Sequence, residues 1–453
     1  MNTVNIDNVP LNKFHLKITA LTFGAHLTDG YIIGLIGMVF TLITPLMQLD
    51  SFWQRAIGSA VLIGLFVGSL FFGFISDKLG RQKIFCISFI LVLIGSIAQF
   101  YASTPLELFL CRVLMGIGLG GDYTVGHALL AEFLPKQSRG AILGSFSVVW
   151  TFGYVLATFI AKFVIDLDLG PDTWRYLLAS TAIPAAIILI ARIGTPESPR
   201  WLMQHGRKDE ARAIVQKYFG ANVTIESETD QVAQQNNFSS IKLLFSQKYL
   251  KRTLFNCIFF TCIVMPYFAI YTFLPMILEL MKLSNDFTTE TILNLMLLLG
   301  AVIGIYCTYK FSRRGFLIYS FVLLSVSLLL ITILPETLNW ALVLLFAAFT
   351  MILSAVSNLV GVFPAESFPT EVRSSGIGIA TAVSRFGSAA STFILPISLL
   401  QIGMTATMLL LVCILVFGTI ISILWAPETK NLSLVEASEV DEIKAYTASK
   451  ELP

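Results

Sequence analysis

Charge is scarce in this chain: Asp, Glu, Lys and Arg make up 13% of its 453 residues, against 56% that are hydrophobic. A soluble protein of this length would form two or three domains with polar surfaces, and a mean hydropathy of +0.79 excludes that class. There is no long basic run, and the net charge is only +2, so no nucleic-acid partner is expected. None of the six cysteines (Cys86, Cys111, Cys257, Cys262, Cys307, Cys413) belongs to a Cys-x-x-Cys pair, and all lie in apolar runs. They read as small packing residues, not metal ligands or disulfides. A Gly-x-x-x-x-Gly-Lys-Ser/Thr loop is missing, which argues against ATP coupling through this chain. Metal clusters and nucleophile–base arrangements are missing too, so neither an enzyme nor a cofactor is expected. The first 15 residues are polar, contain Asp7 and lack a cleavage site after a short apolar core. They read as a cytosolic lead-in, not a removed signal peptide.

What the chain has instead is uninterrupted apolar length. Runs of about 20 residues recur, each enough to cross a hydrocarbon core of roughly 30 Å. Backbone groups cannot stay unpaired in lipid, so such runs must be helices or barrel strands, and these are too long and too continuous for strands. Twelve spans are expected, near residues 17–46, 54–76, 84–101, 106–133, 140–165, 174–194, 252–280, 290–310, 316–334, 339–365, 373–400 and 404–425. One set of short loops carries Lys78, Arg81, Lys83, Lys136, Arg139, Lys310, Arg313, Arg314 and Arg373; the opposite set carries only Arg55, Lys162, Arg175 and Lys282. The basic set should face the cytosol, which puts both termini inside.

The long polar insertion, residues 195–250, divides the spans six and six. Within it, Arg207–Phe219 places Ala211, Ile214, Val215, Tyr218 and Phe219 on one helical face, with Gly220 as a stop. An amphipathic helix at the cytosolic surface is expected there, followed by a polar linker over 222–240. The organisation is therefore a bundle over 1–194, the linker over 195–250, a second bundle over 251–426 and a cytosolic tail over 427–453.

The two halves echo one another. Glu132-Phe-Leu-Pro135-Lys-Gln-Ser-Arg139 returns as Glu366-Ser-Phe-Pro369-Thr-Glu-Val-Arg373, an offset of 234 residues, and Pro196-Glu197-Ser198 returns as Pro427-Glu428-Thr429. A parallel repeat in an apolar chain implies two homologous bundles related by an axis along the membrane normal, an architecture of transporters that rock one half against the other. The second span ends in Gly73-Phe-Ile-Ser-Asp77-Lys78-Leu-Gly80-Arg81-Gln-Lys83. Its glycines permit a tight turn and close helix approach, and Asp77 is placed to bond a helix N-terminus or an Arg.

In this last motif the chain resembles the major facilitator superfamily, whose mark between the second and third helices is Gly-x-x-x-Asp-x-x-Gly-Arg-x-Lys/Arg. Glu132…Arg139, Pro196-Glu197-Ser198-Pro199-Arg200, Pro364-x-Glu366-x-x-Pro369-x-x-x-Arg373 and Pro427-Glu428-Thr429-Lys430 resemble marks of its sugar-porter branch and organic-ion relatives, over residues 20–430. Nearest in character are metabolite transport proteins of the bacterial inner membrane, which is the location the resemblance implies. It also implies an all-α membrane protein, twelve helices in two pseudo-symmetric six-helix bundles, working as a monomer by alternating access. It further implies a proton gradient as the driving force. The turn equivalent to Asp77 in the second half, Lys310-Phe-Ser-Arg313-Arg314-Gly315, has lost the acid. Glu132, Arg139, Glu197, Arg200, Glu366 and Arg373, with Gly73, Asp77, Gly80 and Arg81, are expected to form a cytosolic gate, the charges closing a ring between the bundles.

Ionisable residues inside the spans mark pathways or relays. Asp29 lies in the first span with His26 three residues before it; Arg112 and Asp122 lie in the glycine-rich fourth span and Arg385 in the eleventh. The resemblance pairs a first-helix acid with a fourth-helix Arg for proton coupling. Arg112 matches that Arg, whereas the acid of sugar porters would fall at Ile32. Asp29 instead matches the leading acid of the Asp-Gly-x-Asp pattern of aromatic-acid symporters, whose second acid is missing. Asp29, Arg112 and Asp122 are the expected proton-coupling residues, with His26 and His127 as packing or helper residues. Arg385 has a counterpart in organic-anion carriers and suits a carboxylate. Arg112, Trp150, Tyr154, Tyr267, Tyr271, Asn358 and Arg385 are the expected substrate-cavity residues. The seventh span lacks the paired glutamines and Gly-x-Asn with which sugar porters hold hydroxyls. Proton-coupled uptake of a small organic anion is therefore expected. A sugar or polyol symporter, an exporter of the same fold and a non-transporting membrane sensor stay open.

Overall fold

The computed structural model describes residues 4–135, 138, 142–224, 242–281, 287–334, 339–368 and 370–429. Apart from a two-residue parallel pairing of Val4–Asn5 with Val223–Thr224, its regular structure is helical. Twelve helices among the described residues are long and apolar enough to cross a membrane. The chain divides into two compact units, Met1–Gln234 and Gln235–Pro453.

In the first unit the order is α1 (Lys13–Leu46), α2 (Ser51–Leu79), α3 (Arg81–Tyr101), α4 (Pro105–Phe133), α5 (Phe146–Asp166), α6 (Thr173–Ala179), α7 (Ala182–Arg192), α8 (Pro199–Gln204) and α9 (Lys208–Phe219). The second unit holds α10 (Leu250–Thr272), α11 (Leu274–Leu280), α12 (Phe287–Lys310), α13 (Arg313–Ile333), α14 (Asn339–Ser357), α15 (Leu359–Ser367), α16 (Thr370–Gln401) and α17 (Gly403–Trp425). Local chemistry sets several of these ends. Thr104 and Glu107 close a capping box on α4 ahead of Pro105, and Asn12 and His15 do the same for α1. The sixth span is broken between α6 and α7, where Pro184 has no N–H for the carbonyl four residues back.

Side chains do not separate the tightest helix pairs. A Cβ at Gly64 would overlap the Val113 carbonyl and one at Gly68 the Ile117 carbonyl, so α2 and α4 meet backbone to backbone. The crossing of α1 and α5 has the same character. A Cβ at Gly30 would overlap the Trp150 carbonyl, and one at Gly153 the Leu27 carbonyl. The second unit repeats the device, with Gly300 and Gly304 against the carbonyls of Met351 and Ala355. Because a carbonyl cannot yield as a flexible side chain does, overpacking here should exceed the usual cost of about 1–3 kcal/mol. Gly68→Val is therefore expected to lower the yield of monodisperse protein severalfold, read by size exclusion of a fluorescent fusion. An unchanged yield would contradict the close approach.

The amphipathic helix forms as the apolar spacing requires. α9 ends at Gly220, whose φ of +112° is open to glycine but strained for other residues. Its apolar face meets protein: Ile214, Tyr218 and Phe219 pack on a cluster that includes Phe14, Leu130 and Phe133. The linker expected over 222–240 lies outside the described residues beyond Thr224, as does the tail from residue 430.

Candidate functional site

Asp29 occupies the middle of α1 and is 1% exposed. The glycine crossing brings α5 against this turn, and Trp150 Nε1 donates to Asp29 Oδ2 at 2.5 Å. Tyr123 of α4 donates its hydroxyl to the same oxygen at 2.8 Å. Two neutral donors thus hold the carboxyl inside an apolar bundle. Trp150, expected as a cavity aromatic, holds the acid, while Tyr154 stacks on Trp150 at 5.9 Å.

On its other side Tyr123 packs on two imidazoles. Ring centroids lie 4.8 Å away for His26 and 5.6 Å for His127, and the two histidines meet edge to face at 4.7 Å. His26 Nδ1 lies 3.0 Å from the Thr22 carbonyl and His127 Nδ1 2.6 Å from the Tyr123 carbonyl. A carbonyl only accepts, so Nδ1 carries a hydrogen in each ring. Phe146 stacks on His26 at 4.3 Å and closes the cluster.

The other expected members of the coupling group lie apart from this centre. Asp122, 2% exposed, pairs at 2.6 Å with Arg192 at the end of α7. Arg192 donates to the Phe85 carbonyl at 2.6 Å, and its guanidinium lies 3.4 Å from the Phe85 ring centroid and 4.1 Å from that of Phe89. This buried pair ties α3, α4 and α7 together and has a structural character. Arg112 is 1% exposed, and its Nε has no hydrogen-bond partner among the described residues. A buried guanidinium held this way is costly unless something else neutralises it.

In the second unit, Arg385 is 7% exposed and its guanidinium lies 5.3 Å from the Phe268 ring centroid. Tyr267 and Tyr271 tilt against each other at 5.2 Å, and Tyr271 donates its hydroxyl to Thr350 Oγ1 at 2.6 Å. Asn358, expected to line a cavity, sits at the break between α14 and α15 and gives its amide to the Ala301 carbonyl at 2.8 Å. That bond holds α12, so Asn358 joins helices.

The expected gate charges form two matching networks. In the first unit, Glu197 Oε1 accepts the backbone N–H groups of Arg81 at 3.0 Å and Gln82 at 3.1 Å, capping the start of α3. Arg81 Nε pairs with Glu132 at 2.9 Å, and Ser198 bonds the other oxygen of Glu132. Gly80 turns the chain at φ +101°, and a Cβ there would overlap Glu197 Oε2. In the second unit, Glu428 accepts the Arg313 N–H at 3.1 Å and the Ser312 hydroxyl; Arg313 reaches Glu366 at 3.6 Å, and Thr429 bonds Glu366 at 2.5 Å. These described pairs each join residues of one unit. Only the backbones of Gly73, Asp77 and Arg373 are described, Arg139 lies outside the described residues, and Arg200 sits at the start of α8. Sequence reasoning missed Arg192, Tyr123, Ser198 and Thr429. The last two are visible as partners within the repeated Pro-Glu-Ser and Pro-Glu-Thr.

Twelve apolar helices in two units with repeated charge-capped turns define a multi-pass membrane transporter. The chain belongs to the sugar (and other) transporter family, whose model matches residues 18–440. It is 51% identical over 451 residues to the inner membrane metabolite transport protein YgcS of Escherichia coli (strain K12), covering 99% of this chain and 100% of that one. It is 26% identical to the niacin transporter NiaP of Acinetobacter baylyi (strain ATCC 33305 / BD413 / ADP1), covering 86% and 88%. Its fold matches the partially occluded inward-open xylose transporter XylE of E. coli with a TM-score of 0.76 at 20% identity, over 93% of this chain and 100% of that one. The protein is a secondary transporter of the major facilitator superfamily, not an enzyme.

Proposed function

We propose that this transporter takes up a small organic anion together with protons, from a membrane in which both termini face the cytosol. Asp29 carries this reading: a carboxyl buried at mid-span and gripped by the neutral donors Trp150 and Tyr123. Such a group fits a proton carrier. Arg112 and Arg385, each buried in an apolar span, support an anionic cargo. At Arg112 above all, a carboxylate would supply the charge that desolvation makes costly to lack. A relative named for niacin, itself a carboxylate, is consistent with that cargo.

Tyr123 links Asp29 to the imidazoles of His26 and His127, on the side toward the start of α1 and the end of α4. With those ends at the cytosol, the chain Asp29–Tyr123–His26/His127 leads inward, the direction in which symported protons leave.

A neutral sugar or polyol is the second reading, favoured by the family description. Counterflow in proteoliposomes over a panel of carboxylates, sugars and polyols separates the two. Exchange of a carboxylate is expected, with Arg385→Gln raising its KM by an order of magnitude while the melting temperature holds. Exchange confined to neutral solutes would remove the anion reading.

A further inference from the structure

Where the first turn of α1 meets the last turn of α9 lies a shallow, open pocket of about 470 Å³, lined by Asn12, Lys13, Phe14, Lys17, Lys217 and Tyr218. Its walls are held in place. Asn12 Nδ2 donates to the Tyr218 carbonyl at 2.9 Å, and the rings of Phe14 and Tyr218 lie 4.2 Å apart. Phe14 also packs edge-on against Phe133 at 5.0 Å, anchoring the floor in the bundle. Lys13 and Lys17 stand one turn apart on α1, and all three lysines are exposed.

Among the described residues, none of the three lysines is in an ion pair. The two acids of α9 are engaged on their own helix: Glu210 with Arg207 at 2.6 Å and Asp209 with Arg212 at 3.9 Å. Hydrogen bonds from Arg207 hold the Glu210 carboxyl below its ordinary range. The pocket sits at the start of α1, a helix long and apolar enough to cross a membrane. Leu11 and Leu16, 47% and 62% exposed, project large apolar side chains from the same stretch.

We propose that this pocket binds the phosphate headgroup of an anionic phospholipid. Three lysines around an aromatic floor supply the charge, and the neighbouring exposed leucines suit a ligand that carries acyl chains, which a soluble phosphate does not. The lipid bridges α1 and α9 and so braces the amphipathic helix against its bundle. Such binding requires only that α1 cross a membrane and does not depend on the cargo.

Native mass spectrometry of the delipidated full chain, titrated with phosphatidylglycerol or phosphatidylcholine, tests it. Near-surface lysines contribute about fivefold each. The parent should therefore hold phosphatidylglycerol at least about tenfold tighter, and Lys13→Gln/Lys17→Gln/Lys217→Gln should reduce that preference to about twofold or less. Arg at the same three positions should keep it, as should Lys251→Gln, an exposed lysine of the other unit. Full preference in the triple Gln variant would overturn the proposal. So would loss in the Arg variant, or displacement of the lipid by millimolar glycerol 3-phosphate, which would mark a soluble-phosphate site.

Discussion

Asp29→Asn is expected to abolish accumulation driven by a pH gradient while leaving the rate of solute exchange close to that of the parent. The substitution is close to isosteric. Its amide oxygen can still accept from Trp150 Nε1 and Tyr123 Oη, which hold the carboxyl at 2.5 and 2.8 Å, so the helix crossing should survive. What disappears is the exchangeable proton. One proton per solute lets each pH unit, worth about 1.4 kcal/mol, support roughly tenfold accumulation, and the variant should collapse that gradient entirely. Proteoliposomes with an imposed pH step and radiolabelled solute give both readouts. Retained pH-driven accumulation would show that Asp29 does not carry the proton, whereas loss of exchange as well would point to a structural role. Tyr123→Phe removes one donor and keeps the ring against His26, so a smaller loss of coupling is expected there.

How much of the molecule is legible in its sequence depends on the scale of the interaction. Span number and class are readable because each run of about 20 apolar residues must satisfy its own backbone in lipid. Glycine-rich packing is readable too, since Gly116 and Gly120 recur at helical spacing and only glycine admits a carbonyl at such range. Pairings are not. Asp29 and Asp122 both lie within spans, and what each faces depends on how α1 and α4 are rotated against their neighbours. Composition groups the two acids together, although the fold turns Asp122 to Arg192 at the far end of another helix. Asn358 shows the same limit. A mid-span amide does need a partner, and composition cannot say whether that partner is a solute or, as found, the Ala301 carbonyl.

A second large effect is expected at the charge networks. Repetition of Glu132 and Glu366, and of Glu197 and Glu428, is plain in the sequence; that the described pairs of each set close on their own unit is not. In the first network Arg81 and Glu132 are 17% and 18% exposed and 2.9 Å apart, whereas Arg313 and Glu366 stand at 3.6 Å. The shorter pair should therefore matter more. Removing one partner of a largely buried pair costs on the order of 3 kcal/mol, because the remaining charge stays desolvated. Glu132→Gln is accordingly expected to cut initial uptake by an order of magnitude while the protein still reaches the membrane, and Glu366→Gln to cut it less, per folded transporter. A double-mutant cycle of Arg81→Gln with Glu132→Gln should show strong coupling, the second substitution costing little once the first is made. Additive losses in that cycle, or unchanged uptake in Glu132→Gln, would remove the network from the transport cycle and leave it a packing feature of helix ends.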